Sequence, residues 1–383
     1  MTNILPIRPI SELVSSIDRR EIPEPGKVYR QIGVKWWGEG VYERPPVDGG
    51  STLYATLNRI EVHDIVFNKI WARHGSVSIV QDELAGCYCS PEFPLYEAID
   101  GTLDPQWFYW LTKTRNFWTQ CDEKSRGTSG KNRIRPEAFL SIEIPCPSID
   151  EQRRIIATIE TIATRLNDAR QLRKEINADA QALLHSVCHR LVQGAQYRPV
   201  AEVAPIVRRP VGIDLDTAYS ELGVRSFGKG TFHKPLLEGA DVGSKKLYRI
   251  EPGDLVLSNV FAWEGAIAVA KPEDQGRVGS HRFITCVAEP DLATADFLCF
   301  YLLTEQGLSQ VRDASPGGAG RNRTLGLTKL EQIRVPLPAI EKQKEFSALQ
   351  AKVAAIHQAQ AANQSELDAL LPAVLDKAFK GEL

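Results

Sequence analysis

The residues of this chain best suited to chemistry are cations and amides set among glycines. The stretch "KSRGTSGKNRIR" holds Lys124, Arg126, Lys131, Arg133 and Arg135 with no acid among them, and Asn132 stands beside Arg133. Further on, "SPGGAGRNR" repeats the end of that pattern with Arg321, Asn322 and Arg323. Guanidinium and ammonium groups on a glycine-rich backbone can follow a row of phosphates closely. Surface loops are often basic with no partner at all, so it is the recurrence that carries weight.

Other groups point to less. In "HSVCH", His185, Cys188 and His189 fall on neighbouring turns of a helix, where they could hold a metal, but the glutamate of an HExxH site is missing and no metal site is assigned. "GADVGSKK" from Gly239 has its second glycine one place too early for a phosphate-binding GxxxxGK[ST] loop, so no nucleotide is expected on this chain.

The elements that must position these residues are written twice. "YRQIGVKWWGEG" begins at Tyr29 and "YSELGVRSFGKG" at Tyr219, an offset of 219 − 29 = 190. At the same offset "RPISEL" from Arg8 matches "RPVAEV" from Arg198, and "RIEVHDIVFNKIWARHG" from Arg59 matches "RIEPGDLVLSNVFAWEG" from Arg249. Ser90 and Phe93 match Ser280 and Phe283, and the two glycine-rich basic loops fall in register as well. A register held over such a length requires one domain present twice, and the unit is far longer than the ~20–50 residues of a solenoid repeat. The copies span 1–143 and 195–333. "DIVFNKIW" and "DLVLSNVF" read as strands, while "DPQWFYWLTKT" and "TADFLCFYLLTEQG" read as helices behind an Asp or Thr cap.

After each copy comes a Pro-x-Pro brake, an acidic residue and a long helix: "IEIPCPSIDEQRR" from Ile142 and "IRVPLPAIEKQKE" from Ile333. These occupy 144–194 and 334–383. The first carries an apolar stripe that includes Ile155, Ile159, Ile162, Leu166, Ile176 and Leu183. The second carries Phe346, Leu349, Val353, Ile356, Leu367 and Leu370, with polar Gln360 and Asn363 at its middle and Pro372 expected to kink its end. The expected fold is α+β: two similar mixed α/β domains separated by two long antiparallel coiled-coil helices, a pseudo-two-fold internal repeat.

Composition sets the outer bounds. With 383 residues, 43% hydrophobic and 25% charged, the chain can fill two or three cores, and no run approaches a membrane span. Seven cysteines in a scattered, odd-numbered set fit reduced thiols, and a cytoplasmic location is expected. A net charge of −2 excludes indiscriminate coating of nucleic acid while allowing a local basic face.

Domain, Pro-x-Pro helix with its glutamine, domain, and a helix ending in "AFKGEL" is an order that, over essentially all of the chain, resembles the specificity subunit of a type I restriction-modification enzyme. The resemblance implies two target-recognition domains. Each reads half of a split double-stranded DNA sequence, and the helices space them and dock two methyltransferase subunits and, through these, a restriction and motor subunit. It implies a non-catalytic chain, with S-adenosylmethionine, ATP and Mg belonging to the partners. Consistent with that, the (N/D)PP(Y/F) loop of an adenine methyltransferase is missing; "ERPPVD" from Glu43 lacks the aromatic.

In that frame Lys35 and Arg225, matched in charge, suit phosphate positioning. Lys69, Arg73 and His74 stand opposite Asn259, Trp263 and Glu264, and such differences are where two unlike half-sites would be read. The DNA-contact set expected is therefore Lys35, Lys69, Arg73, Lys124, Arg126, Lys131, Asn132, Arg133, Arg225, Asn259, Arg321, Asn322 and Arg323. Three further readings stay open from sequence: a coiled-coil scaffold with protein-binding heads, a lone enzyme with its site at the His185, Cys188 and His189 cluster, and the specificity subunit of a methyltransferase that lacks a nuclease.

Overall fold

The computed structural model describes residues 5–125, 132–317 and 323–383. The chain divides into two compact units, Met1–Leu172 with Ala361–Leu383, and Arg173–Gln360. Each unit holds one copy of the repeat together with a length of both helical regions.

The duplication is visible strand by strand. In the first unit, Val28–Val34 pairs antiparallel with Val41–Asp48, with a bulge between Tyr29 and Gln31, and meets Tyr88–Cys89 in parallel at Gln31. In the second, Ala218–Val224 pairs with Thr231–Glu238, bulges between Ser220 and Leu222, and meets Val278–Ser280 in parallel at Glu221. Both belong to five-stranded sheets of the same strand order. The repeated tyrosines tie down matching loops, since the Tyr29 hydroxyl accepts the Glu24 amide at 3.1 Å and the Tyr219 hydroxyl accepts the Asp214 amide at 2.8 Å. The anticipated strands lie at Ile65–Phe67 and Leu255–Ser258, and the anticipated capped helices at Pro105–Leu111 behind Asp104 and Ala295–Leu303 behind Thr294.

A matched ion pair braces each head. Arg19 donates to Asp64 at 2.5 Å and Arg209 to Asp254 at 2.6 Å, with both carboxylates buried. Beneath the sheets, Phe67, Trp107, Phe108 and Phe139 centre the first core, and Phe297, Tyr301, Leu255 and Leu257 the second. Trp107 satisfies its indole N–H on the Pro145 carbonyl at 2.8 Å, so its ring enters the core with no unpaired donor.

The Pro-x-Pro glutamines fasten helix to head. Gln152 is fully buried; its Nε2 donates to the carbonyls of Thr102 and Pro147, and its Oε1 accepts the Asp104 amide. Gln343 repeats this with Leu292, Pro338 and Thr294. In the first unit the helix Ile149–Val192 begins beside the last helix, Gln364–Lys380, and the two run antiparallel: Arg154 donates to the Leu383 carbonyl at 3.1 Å and Arg170 to Asp368 at 3.0 Å. Phe379 of the "AFKGEL" ending packs edge-on against Trp107 at 4.7 Å. In the second unit Leu184 and Cys188 share a core with Phe346 and Val353 of the helix Ile340–Ala362.

The helical stripe needs correcting. Ile155, Ile159, Leu166, Phe346 and Val353 are buried and Ile162, Leu349 and Leu367 half-buried, but Ile176, Leu183, Ile356 and Leu370 are 47, 47, 43 and 48% exposed. At about 100° per residue, Ile176 and Leu183 lie roughly 60° and 80° round the helix from Ile155, whereas Leu184 returns to within about 20°. Ile356 is likewise displaced by about 80° from Phe346, and Leu370 by about 140° from buried Leu375. The second helical region is interrupted at Asn363, while Pro372 lies inside Gln364–Lys380.

Candidate nucleic-acid interface

The repeated "GVKWWGEG" and "GVRSFGKG" segments form turns that dock on a one-turn 3-10 helix. In the first unit that helix is Ala72–His74; Trp37 N–H donates to the His74 carbonyl at 2.7 Å and Gly38 N–H to the Gly75 carbonyl at 2.9 Å. In the second it is Ala262–Glu264, and Phe227 and Gly228 donate to Glu264 and Gly265 at 2.8 and 2.9 Å. Trp37 and Phe227 sit in the left-handed region at φ 57° and 62°, a conformation that costs an aromatic residue energy and is held here by the paired hydrogen bonds. Gly38, at φ 67°, lies so close to the Thr112 carbonyl that a Cβ would stand 2.4 Å from it. Lys35 and Arg225 open these turns and both are exposed.

Around the docked turn of the first unit the structure gathers Lys69, Arg73 and Arg133. Ile134 N–H donates to the Lys69 carbonyl at 2.9 Å, and Lys69 N–H to the Glu92 carbonyl at 3.1 Å, which ties three loops into one frame. On that frame Arg133 Nη2 pairs with Glu92 at 2.6 Å and Lys69 Nζ donates to the Pro91 carbonyl at 2.8 Å. Arg73 lies over the Trp71 ring at 5.8 Å, and its buried Nε has no partner. Trp71 in turn packs against exposed Trp36 at 5.2 Å.

The second unit has the same frame with other side chains. Leu325 N–H donates to the Asn259 carbonyl at 2.7 Å and Asn259 N–H to the Arg282 carbonyl at 2.8 Å. Arg323 lies over Trp263 at 5.3 Å, and the buried Oδ1 of Asn259 has no partner. Arg225 donates to the Thr231 carbonyl and covers the Phe232 ring at 4.9 Å. Next to this frame opens a cleft of about 460 Å³ whose lining includes Lys234, Lys245, His281 and Arg282.

Two solved structures share this architecture across nearly the whole chain. The HsdS subunit from Thermoanaerobacter tengcongensis is 22% identical, with 99% of this chain and 97% of that chain covered at a TM-score of 0.63. A chain from a study of complex assembly and conformational transition of the type I R-M system is 20% identical, with 99% and 98% covered at a TM-score of 0.68. The chain has the HsdS fold. No protein-family model and no curated protein matches the sequence. The fold carries over at 20–22% identity.

On this HsdS fold the remaining expected contacts fall as follows. Lys124 donates to the Ser141 hydroxyl at 2.9 Å. Asn132 is described and half-buried, whereas Arg126, Lys131, Arg321 and Asn322 lie outside the described residues. His185 packs on Phe300, Cys188 is buried in the second core and His189 meets Gln193, so the three do not converge; among the described residues no cluster of three metal-ligating groups occurs. Burial pushes the Cys188 thiol up to about 11.

Sequence reasoning missed Glu92 and Arg282. Their signal was present: the matched Ser90 and Phe93, and Ser280 and Phe283, bracket "PE" in one copy and "HR" in the other.

Proposed function

We propose that this chain is the sequence-specific DNA-recognition subunit of a type I restriction-modification complex. Each head reads one half of a bipartite, gapped target in double-stranded DNA. The helices set the gap and dock two adenine methyltransferase subunits, through which a restriction and motor subunit joins. S-adenosylmethionine, ATP and Mg act on those partners, and this chain, working in the cytoplasm, catalyses nothing by itself. No helix among the described residues is long and apolar enough to cross a membrane.

One observation carries the reading. A single backbone frame is built twice with matching backbone hydrogen bonds, and positions on it are filled differently: Lys69, Arg73 and Glu92 in one head, Asn259, Trp263 and Arg282 in the other. A frame must stay the same to keep its shape, and readers must differ to read unlike half-sites. Arg, Asn and Glu are the side chains whose donors and acceptors match guanine, adenine and cytosine edges in the major groove. The cations at Lys35 and Arg225, and Arg323 in the second head, suit the phosphate contacts that set register without carrying sequence.

The test is a map of modified adenines in a methylation-free host that expresses this chain with a partner adenine methyltransferase, with each alone as a control. Modification on both strands of one split, asymmetric motif, only with both proteins present, is the expected result. An assembled pair that modifies nothing, or an ungapped motif, would move the protein-binding scaffold to the front.

A further inference from the structure

We infer that the position shared by Glu92 and Arg282 discriminates one base in each half-site, guanine for the head carrying Arg282 and an amine-bearing base such as cytosine for the head carrying Glu92. This rests on the DNA-recognition reading above.

The two residues are equivalent in three dimensions as well as in number. Each accepts, on its backbone carbonyl, an amide from just past the matching strand: Lys69 for Glu92 and Asn259 for Arg282. Each lies between a serine and a phenylalanine that match across the copies, so both side chains leave the same point of the same frame. Their charges are opposite. Glu92 is half-buried and holds Arg133 at 2.6 Å, which neutralises that cation. Arg282 is exposed and has no carboxylate partner among the described residues. In its head Arg323, one residue further from the frame donor Leu325 than Arg133 is from Ile134, lies on the Trp263 ring instead.

Charge and neighbours separate base reading from phosphate gripping. A carboxylate is repelled by phosphates, so beyond its ion pair with Arg133 the DNA group that suits Glu92 is a base edge, where its free oxygen accepts an amine such as cytosine N4–H. Arg282 lines the cleft with Lys245 and His281, and with Lys234, which faces Glu221 at 3.8 Å; Lys245 can hold the backbone beside a guanidinium that reaches N7 and O6 of guanine. A bidentate guanidinium contact is also not replaced by lysine, which offers a point charge in place of a planar fork.

The experiment repeats the modification map with wild-type, R282Q, R282K and E92Q chains, each co-expressed with the same methyltransferase, and adds selection of bound DNA from a random library by each assembled complex. Expected is a wild-type split motif, and R282Q and R282K complexes that lose discrimination at one guanine of one half by about tenfold to a hundredfold, with the other half and the gap unchanged. E92Q relaxes one position in the opposite half. A wild-type motif that all three variants retain would overturn the inference. So would a uniform loss of affinity whose salt slope falls by about one, the mark of a phosphate contact. Library selection gives the motif even for a variant that binds without modifying. A wild-type complex with no split motif would instead remove the recognition reading itself, a result distinct from an intact motif that ignores position 92 or 282.

Discussion

Gln152 reaches out of the first turn of its helix to accept the backbone amide of Asp104 at 2.9 Å, and Gln343 does the same for Thr294 at 3.0 Å. Each amide caps the start of a head helix while its own nitrogen satisfies two carbonyls, so head and rod meet through a fully paired, fully buried polar contact. Replacing Gln343 by alanine strands those groups without solvent, and the expected cost is about 2–4 kcal/mol. Denaturant unfolding should show the loss in the transition of Arg173–Gln360, with Met1–Leu172 and its C-terminal helix unaffected; equal loss in both would contradict the two-unit description.

The Arg209–Asp254 pair braces the second head as Arg19–Asp64 braces the first. Removing one partner leaves the buried Asp254 carboxylate without its counter-ion, so Arg209→Met should destabilise by about 3 kcal/mol or more. The double variant R209M/D254N should recover part of that. A double variant no better than the single would show that the arginine acts by packing alone.

Asp274 ties the edge of the second five-stranded sheet to its neighbours, accepting from the Thr231 hydroxyl and the Lys271 amide at 2.9 Å and facing His233 Nε2 at 2.9 Å. Burial pushes its carboxyl up, but these donors outweigh burial and hold it below the usual carboxylate range. A depressed folded value means the stabilisation is complete above the unfolded pKa, about 3.9, and is lost as pH falls through the lower folded value. Stability of the second unit measured from pH 6 to pH 2.5 should therefore fall more steeply for wild type than for D274N. The first head has Leu84 at this position and should show no such difference on its substitution.

Six of the seven cysteines are buried and Cys299 is half-buried. Burial raises the Cys89 and Cys286 thiols to about 12, far from the thiolate form that reacts. Thiol titration at pH 8 should be slow in the folded protein and reach all seven groups only in denaturant. Rapid stoichiometric labelling of any buried cysteine would show that its unit opens on that timescale.

Much of this architecture was legible in the chain because it is written twice. An offset of 190 that becomes 191 just after the second basic loop marks the copies, and strand alternation, caps at Asp104 and Thr294 and the Pro-x-Pro brakes are local signals that short-range sterics produce on their own. The candidate site was legible in part. Lys69 and Arg133 meet in one frame through backbone hydrogen bonds, and Lys124, just past the helix Arg115–Glu123, is held by the Ser141 hydroxyl, a contact that no local pattern announces.

The sequence by itself determined that one domain occurs twice, that a long helix follows each copy, and which matched positions carry unlike side chains. Only the tertiary structure decided which of those positions stand together. Periodicity cannot say which flank of a helix finds a partner, so Leu183 and Leu184 look equally fit for the seam until packing buries the second. Nor can it say that Glu92 quenches Arg133 while Arg282 stands clear, since that pairing joins residues 41 apart through a loop whose path is set by backbone hydrogen bonds. Local preferences act over a few residues, whereas charge pairing and burial act across space, and the chain brings such residues together only once it has folded.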